Sequence, residues 1–381
     1  MATLQEALEK AGSAKALLGA PIPPFFVTPY PSFYTNWINE QKASHETALI
    51  FDQSFHMTDC YIAGPDKKKL LADTSVNSYA NFGTGKAKQY RAVNEQGYVV
   101  GDSILFGLSD EESVVVGHAI SANWLQYQAE IGNYDVSFVR EDAGHFGPVP
   151  KRLYRYNFQG PNVWPILEKL AGGKLELIRF FQIGHLEIAG HKVEALNHTM
   201  SGVPGQDITG LELYGPFAEG EAVLNAILEA GEEFGIKRGG TLSYQSACTE
   251  SGWIGLPLPA IYGDEYKAYR EWMPPASLSN FAPLRGSLGS TNVEDYYNTP
   301  FDLGYGRMVK FDHEFIGREA LEKIAANPPY TKVWFQWDDA DAERVIAKGD
   351  IGVEDRARPL RLPIDAVYGD PDQTVRTANQ V

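Results

Sequence analysis

From Ala48 to about Glu141 the apolar positions fall in short runs broken by Gly, Pro, Asn and Asp, and this spacing predicts a succession of short strands. Two helical stretches interrupt them, near Asp66 to Ala72 and near Ser121 to Ala129. The first opens on "GPDKKKLLAD", whose Gly-Pro-Asp is a reasonable helix entry. In "YRYNFQGPNVWPILEKL" a strand over Arg155 to Phe158 gives way to a helix beginning around Pro161. "KLELIRFFQIGHLEIAGHKVEALNHT" alternates as strands joined by a Gly turn, and "FAEGEAVLNAILEAGEEFG" is a strongly periodic helix closed by Gly235. Strands and helices mix without a regular βαβ rhythm, so the expected fold class is α+β and not a doubly wound sheet.

The two ends differ in texture. "MATLQEALEKAGSAKALLGA" reads as a short amphipathic helix, whereas "GAPIPPFFVTPYPSFYTNW", Gly19 to Trp37, is too bulky for a linker and too broken by Pro for a helix. That stretch is expected to pack as an irregular arm. From about Pro328, "YTKVWFQW" reads as a strand, "DDADAERVIAKGD" as an acidic connector or helix, and "EDRARPLRLPIDAVYGD" as further strand. The expected units are therefore 1–47 (helix and aromatic arm), 48–150, 151–327 and 328–381. The last, with fewer than 60 residues, is either incomplete or leans on the units before it.

Composition narrows the functions. With 381 residues, 44% of them hydrophobic, the chain can bury several layers of core. Its net charge of -16 repels phosphate backbones and anionic lipid, so neither nucleic acid nor a membrane is an expected partner. Glu6, Glu9 and Lys10 stand where a signal peptide needs its apolar core, and the expected location is the cytoplasm. Cys60 and Cys248 have no partner cluster, which leaves no disulfide framework or Cys-based zinc site to argue for.

Common catalytic motifs are missing: no GxGxxG opens a helix after a strand, and there is no Walker loop, HExxH or GxSxG. His185, His191 and His198 lie in the wrong register for a compact metal site, so no metal is expected. What remains is a set of polar residues within apolar, Gly-bearing stretches: Gln53, His56, Asp102, Glu212, Tyr244 and Trp253. A carboxylate among strand residues needs hydrogen-bond donors. A ligand with ring N–H groups would supply them; alternatively Asp102 caps a turn and Glu212 pairs with a Lys or Arg.

Five segments, taken in order, resemble the glycine cleavage T-protein family of tetrahydrofolate-dependent enzymes: "ALIFDQSFHMTDCYIAGPD", "YRAVNEQGYVVGDSILF", "YNFQGPNVWPIL", "SGVPGQDITGLELYGP" and "NTPFDLGYGRMVKFDHEFIGREAL". The resemblance runs from about Ala48 to Leu321. Within the family, "AGSAKALL", "YTNWINEQ", "NSYANFGTGKAKQY" and "SACTESGWIGLPLPAIYGDE" are most similar to the aryl O-demethylases that act on lignin-derived methoxyarenes. The resemblance implies a three-domain ring around a central folate channel, with 48–150 and 151–327 as its folate-binding parts and 328–381 opening a C-terminal β domain. It implies methyl transfer from an aromatic methyl ether to N5 of tetrahydrofolate, leaving a phenol.

By that resemblance Asp102 and Glu212 face the pterin and Trp253 packs against the folate. Tyr244 donates to the incipient phenolate, His56 bonds a ring hydroxyl of the substrate with Gln53 beside it, and Tyr30 closes over the substrate. Gln53 and His56 share a face only if a bulge or turn intervenes, since a three-residue offset otherwise alternates. Two departures from the family pattern matter. Aminomethyl-transferring members carry paired acids where this chain has Gly101 before Asp102, which favours simple methyl transfer. The vanillate enzymes look to have an Arg in the strand context where this chain has His118, so the substrate is expected to be a methoxyarene other than vanillate, or one whose carboxylate is held differently. An aminomethyltransferase of glycine cleavage and a non-catalytic folate-binding scaffold remain the alternatives.

Overall fold

A computed structural model describes residues 3–19, 31–143, 151–198, 210–252, 257–273, 289–331, 333 and 336–349. The strands of the first half are β1 (Ala48–Asp52), β2 (Thr58–Ala63), β3 (Ala87–Val93), β4 (Val99–Gly107), β5 (Glu112–Gly117) and β6 (Ser137–Glu141). Those of the second are β7 (Leu153–Gln159), β8 (Ile183–Ile188), β9 (His191–Leu196), β10 (Gly210–Pro216) and β11 (Ile236–Arg238). They form a six-stranded sheet in the order β11-β1-β7-β10-β9-β8 and a five-stranded sheet in the order β3-β4-β5-β2-β6.

The helices preceding the first sheet strands are α1 (Leu4–Ala11), α2 (Ala14–Gly19) and α3 (Trp37–Glu46). α4 (Lys67–Asp73) and α5 (Ala119–Ile131) follow, then α6 (Val163–Ala171), α7 (Gly220–Gly231) and α8 (Thr241–Glu250). α9 (Lys267–Trp272), α10 (Arg318–Ala325) and α11 (Asp339–Ala347) complete the set among the described residues. α1 starts on a capping box, Thr3 with Glu6, which satisfies two of the helix's orphan N–H groups. The β8–β9 hairpin turns through Ala189 and Gly190, both at positive φ (52° and 77°), the primed turn geometry that suits a right-twisted hairpin.

Alternation along the strands sorts the side chains into layers. On the six-stranded sheet, Tyr154, Tyr156 and Phe158 of β7 and Leu211 and Leu213 of β10 pack outward against Val163, Ile166 and Leu167 of α6 and Val223 and Ile227 of α7. On the five-stranded sheet, Cys60, Ile62, Leu105 and Val115 face Leu70 and Leu71 of α4 and Trp124 and Leu125 of α5. The remaining faces meet each other: Tyr61, Phe106, Val114 and Val116 from one sheet join Leu196 and Tyr214 from the other. Helices thus cover the outside, and the two sheets stand face to face.

Sheet membership does not follow chain order. β6 and β7 lie either side of the boundary expected at 150 and belong to different sheets, but β1 joins the later strands, antiparallel to β7 and parallel to β11. The described residues of 257–273 and 289–331 return to the earlier sheet, with Tyr262 and Tyr269 in one cluster and Leu303, Phe315 and Leu321 in another. At the far end α11 occupies the acidic stretch. The described residues of "YTKVWFQW" are not in a strand; Tyr330, Val333 and Trp337 are each more than half exposed (54%, 54% and 65%), with no pairing strand among the described residues.

Candidate active site

A cavity with about 820 Å³ of empty space, its mouth included, opens between the two sheets. Asp102 reaches it from the middle of β4, on the same side of the strand as Ile104 and Phe106. Its partners come from the neighbouring strand. Arg91 stands directly across from it in the β3–β4 ladder and donates from Nη2 to Oδ2 at 2.6 Å, and Gln89 donates from Nε2 to Oδ1 at 2.7 Å. Arg91 is fully buried, and the ring of Tyr305 lies over its guanidinium, 3.8 Å from Cζ to centroid. The acid is tolerated in a buried strand because a cross-strand arginine neutralises it.

Glu212, on β10, occupies the facing wall. Its Oε1 accepts from Arg155 Nη1 at 3.0 Å and its Oε2 lies 2.8 Å from His198 Nε2. Arg155 turns its Nε to Asp59 on β2 at 3.1 Å, and Lys151 donates to the other oxygen of Asp59, so this cluster ties the two sheets together beneath the cavity. Burial pushes the Glu212 carboxyl up, but the His198 hydrogen bond and charge together with Arg155 outweigh it and hold the pKa at about 2. Burial likewise works against the Arg155 charge, yet Asp59 and Glu212 keep the guanidinium more firmly protonated than an ordinary arginine.

Four side chains arrive from outside the sheets. β1 ends at Asp52, and the next residues turn sharply, closed by a hydrogen bond from the His56 N–H to the Gln53 carbonyl at 3.0 Å. This turn brings both Gln53 and His56 to the cavity. Tyr244 projects from the first turns of α8, its ring edge to face with Phe51 (5.4 Å between centroids) and with His56 (4.7 Å). His118 is the N-cap of α5, at the point where β5 hands the chain to the helix.

Six of the eight residues singled out from the sequence, Gln53, His56, Asp102, His118, Glu212 and Tyr244, therefore line one cavity. Tyr30 and Trp253 lie outside the described residues. Sequence reasoning missed Gln89, Arg91, Arg155, His198 and Tyr305. Arg91 had a signal: counting back from the "NEQG" turn across the hairpin, with the one-residue irregularity between Ala92 and Val93, sets it opposite Asp102. Arg155 and His198 had none, because their partners are 57 and 14 residues away through strand pairings that no local pattern announces.

Two carboxylates held from opposing sheets, with a tyrosine and histidines at the same cavity, define a small-molecule site of the acid–base type. The model of the GCVT N-terminal domain matches residues 10–257, and the chain belongs to this glycine cleavage T-protein family. It is similar to a syringate O-demethylase of a Sphingobium species, 38% identical over 371 residues that cover 96% of this chain and 78% of the relative. A sesamin methylene transferase of a Sinomonas species is 28% identical over 83% of this chain and 68% of its own length. The crystal structure of the Bartonella henselae aminomethyltransferase T shares the fold, with a TM-score of 0.55 at 18% identity over 85% of this chain and 74% of that one.

Proposed function

We propose that this chain demethylates an aromatic methyl ether, transferring the methyl group to N5 of tetrahydrofolate and releasing a phenol. The observation that carries the reading is the convergence of Tyr244, His56, Asp102 and Glu212 on one cavity. Kinship with an O-demethylase and a methylene transferase supports it.

The residues fit a pterin. Its heterocycle presents an amino group and a ring N–H beside a carbonyl, so a complementary wall needs an acceptor next to a donor. Glu212 has four acceptor positions, two of them taken by Arg155 and His198. Arg155 Nη2, buried in the same wall, has no partner among the described residues and can donate. Ile104, Phe106, Val116 and Phe181 supply apolar surface for a flat ring.

When bound, tetrahydrofolate supplies the N5 lone pair that receives the methyl carbon. The protein's tasks are to align donor carbon, ether oxygen and acceptor, and to stabilise the charge growing on the departing oxygen. Tyr244 donates its phenolic hydrogen to that oxygen; a phenol, ordinarily titrating near about 10, is well matched to a phenolate leaving group. His56 holds the Tyr244 ring by its edge and faces the arene with Gln53. His118, at the rim formed by the start of α5, contacts the part of the arene away from the ether.

The test is anaerobic incubation with tetrahydrofolate and a panel of methoxyarenes, with and without carboxylates, following 5-methyltetrahydrofolate and phenol together. Equimolar appearance of both without a lipoyl carrier protein is the expected result. Folate binding with no turnover on any arene would redirect the assignment to aminomethyl transfer or a folate-binding scaffold.

A further inference from the structure

The sequence of α8, "TLSYQSACTE", holds one aliphatic side chain larger than alanine, Leu242, so apolar packing alone cannot fix the helix that presents Tyr244. Polar contacts do so, and they converge on Glu40 of α3. This residue is wholly buried. Its Oε1 accepts from the N–H groups of Tyr34 at 2.6 Å and Thr35 at 2.9 Å; its Oε2 accepts from the Gly240 N–H at 2.9 Å and the Ser243 hydroxyl at 2.8 Å. All four acceptor positions of the carboxylate are filled.

The same segment that Glu40 gathers also caps α8. Thr241 and Leu242 donate their N–H groups to the carbonyls of Pro31 and Ser32, at 3.0 and 3.1 Å, satisfying donors that a helix start leaves open. The approach is so close that a β-carbon on Gly240 would lie 2.5 Å from the Phe33 Cα. At the other end of α8, Gln41 and His45 of α3 hold Glu250, at 2.6 and 2.8 Å. Tyr244 sits one turn in, its N–H bonded to the Gly240 carbonyl. A shift of Gly240 is passed on to the Tyr244 ring.

We propose that Glu40 is a positioning residue for Tyr244: one carboxylate locks the Pro31–Thr35 segment to the start of α8 and thereby sets where the phenol stands in the cavity. The proposal rests on Tyr244 being the group that donates to the ether oxygen. A carboxamide at position 40 presents an NH₂ where one pair of donors now points, so either the segment or α8 must move. A misplacement of about 1 Å at a reacting group costs up to about 100-fold in rate.

The test is a double-mutant cycle in the full chain with Glu40→Gln, Tyr244→Phe and both together, scored by kcat, by KM for the arene and by calorimetric binding of tetrahydrofolate. Glu40→Gln is expected to lower kcat by about tenfold or more and to leave folate binding within about twofold, because Asp102 and Glu212 come from the sheets. In the Tyr244→Phe background the same change should cost less than about twofold. Equal losses in both backgrounds, or a loss confined to KM, overturn the positioning role. Full activity of Tyr244→Phe alone overturns the assignment of Tyr244, and the proposal with it. If Glu40→Gln does not fold, Ser243→Ala removes one of the four bonds and gives the same cycle with a smaller step.

Discussion

The rings of His56 and Tyr244 meet edge to face, 4.7 Å between centroids with the planes at 83°. One comes from the turn after β1 and the other from α8, so this pairing unites two parts of the chain that share no strand ladder. An edge-to-face aromatic pair contributes about 0.5–1.5 kcal/mol beyond area burial. His56→Leu should therefore cost up to about tenfold in kcat/KM through the looser Tyr244, in addition to whatever the imidazole itself gives the arene. Tyr244→Phe, which removes the donor itself, should cost about 10²- to 10⁴-fold. Initial rates of phenol release at saturating folate measure both.

Glu212 gives the stability a defined acid limb. Its pKa lies at about 2 in the folded chain against 4.5 ordinarily, so the unfolded chain binds the proton first. The stabilisation is fully present above about pH 4.5 and is lost as pH falls towards about 2; the difference corresponds to about 3 kcal/mol. Urea unfolding of the wild type and Glu212→Gln from pH 6 down to about pH 2.5 should show the gap between them closing as the solution becomes more acid.

Asp102→Asn leaves Arg91 buried without its counter-charge, the case in which breaking a buried pair costs about 3–5 kcal/mol. Replacing both partners, Arg91→Met with Asp102→Leu, should recover much of that stability while abolishing tetrahydrofolate binding. Thermal unfolding together with calorimetry separates the two effects: a single variant that binds folate normally would remove Asp102 from the site.

Gly101 cannot be replaced by an acid without disturbing α5. A β-carbon there would lie 2.6 Å from the Ser121 Oγ and 3.1 Å from its Cα. Gly101→Asp should destabilise the fold by about 1–3 kcal/mol through overpacking, and should gain no lipoyl-dependent activity. Chemical denaturation and an aminomethyl-transfer assay with a lipoyl carrier check the two parts.

Local periodicity disclosed much of the frame. α7 and the β8–β9 hairpin were readable because each closes within one short stretch: α7 runs on into a 3-10 turn over Glu232–Phe234 that the left-handed Gly235 (φ 74°) ends, and the hairpin closes at the Ala189–Gly190 turn. β1 was readable as a strand but not as a member of the later sheet, since its partners β7 and β11 begin about 100 and 190 residues away. The acids Asp102 and Glu212 stood out by their apolar surroundings. Arg155 and Tyr305 did not, because an arginine or tyrosine in a strand or loop carries no mark until the fold supplies its partner. Over the stretch expected as a strand from Tyr330 to Trp337, the described residues Tyr330, Val333 and Trp337 face solvent and are not in a strand.

The origin of the cavity's side chains divides labour within it. The carboxylates stand on central strands, where a change of backbone would propagate through both sheets. His56 and His118 stand on a turn and a helix cap, each adjustable by a small local substitution. On the proposed reading, in which the strand carboxylates hold the cofactor, directed evolution of a new substrate range would do best to vary the turn at His56 and the helix cap at His118 and leave the strands alone.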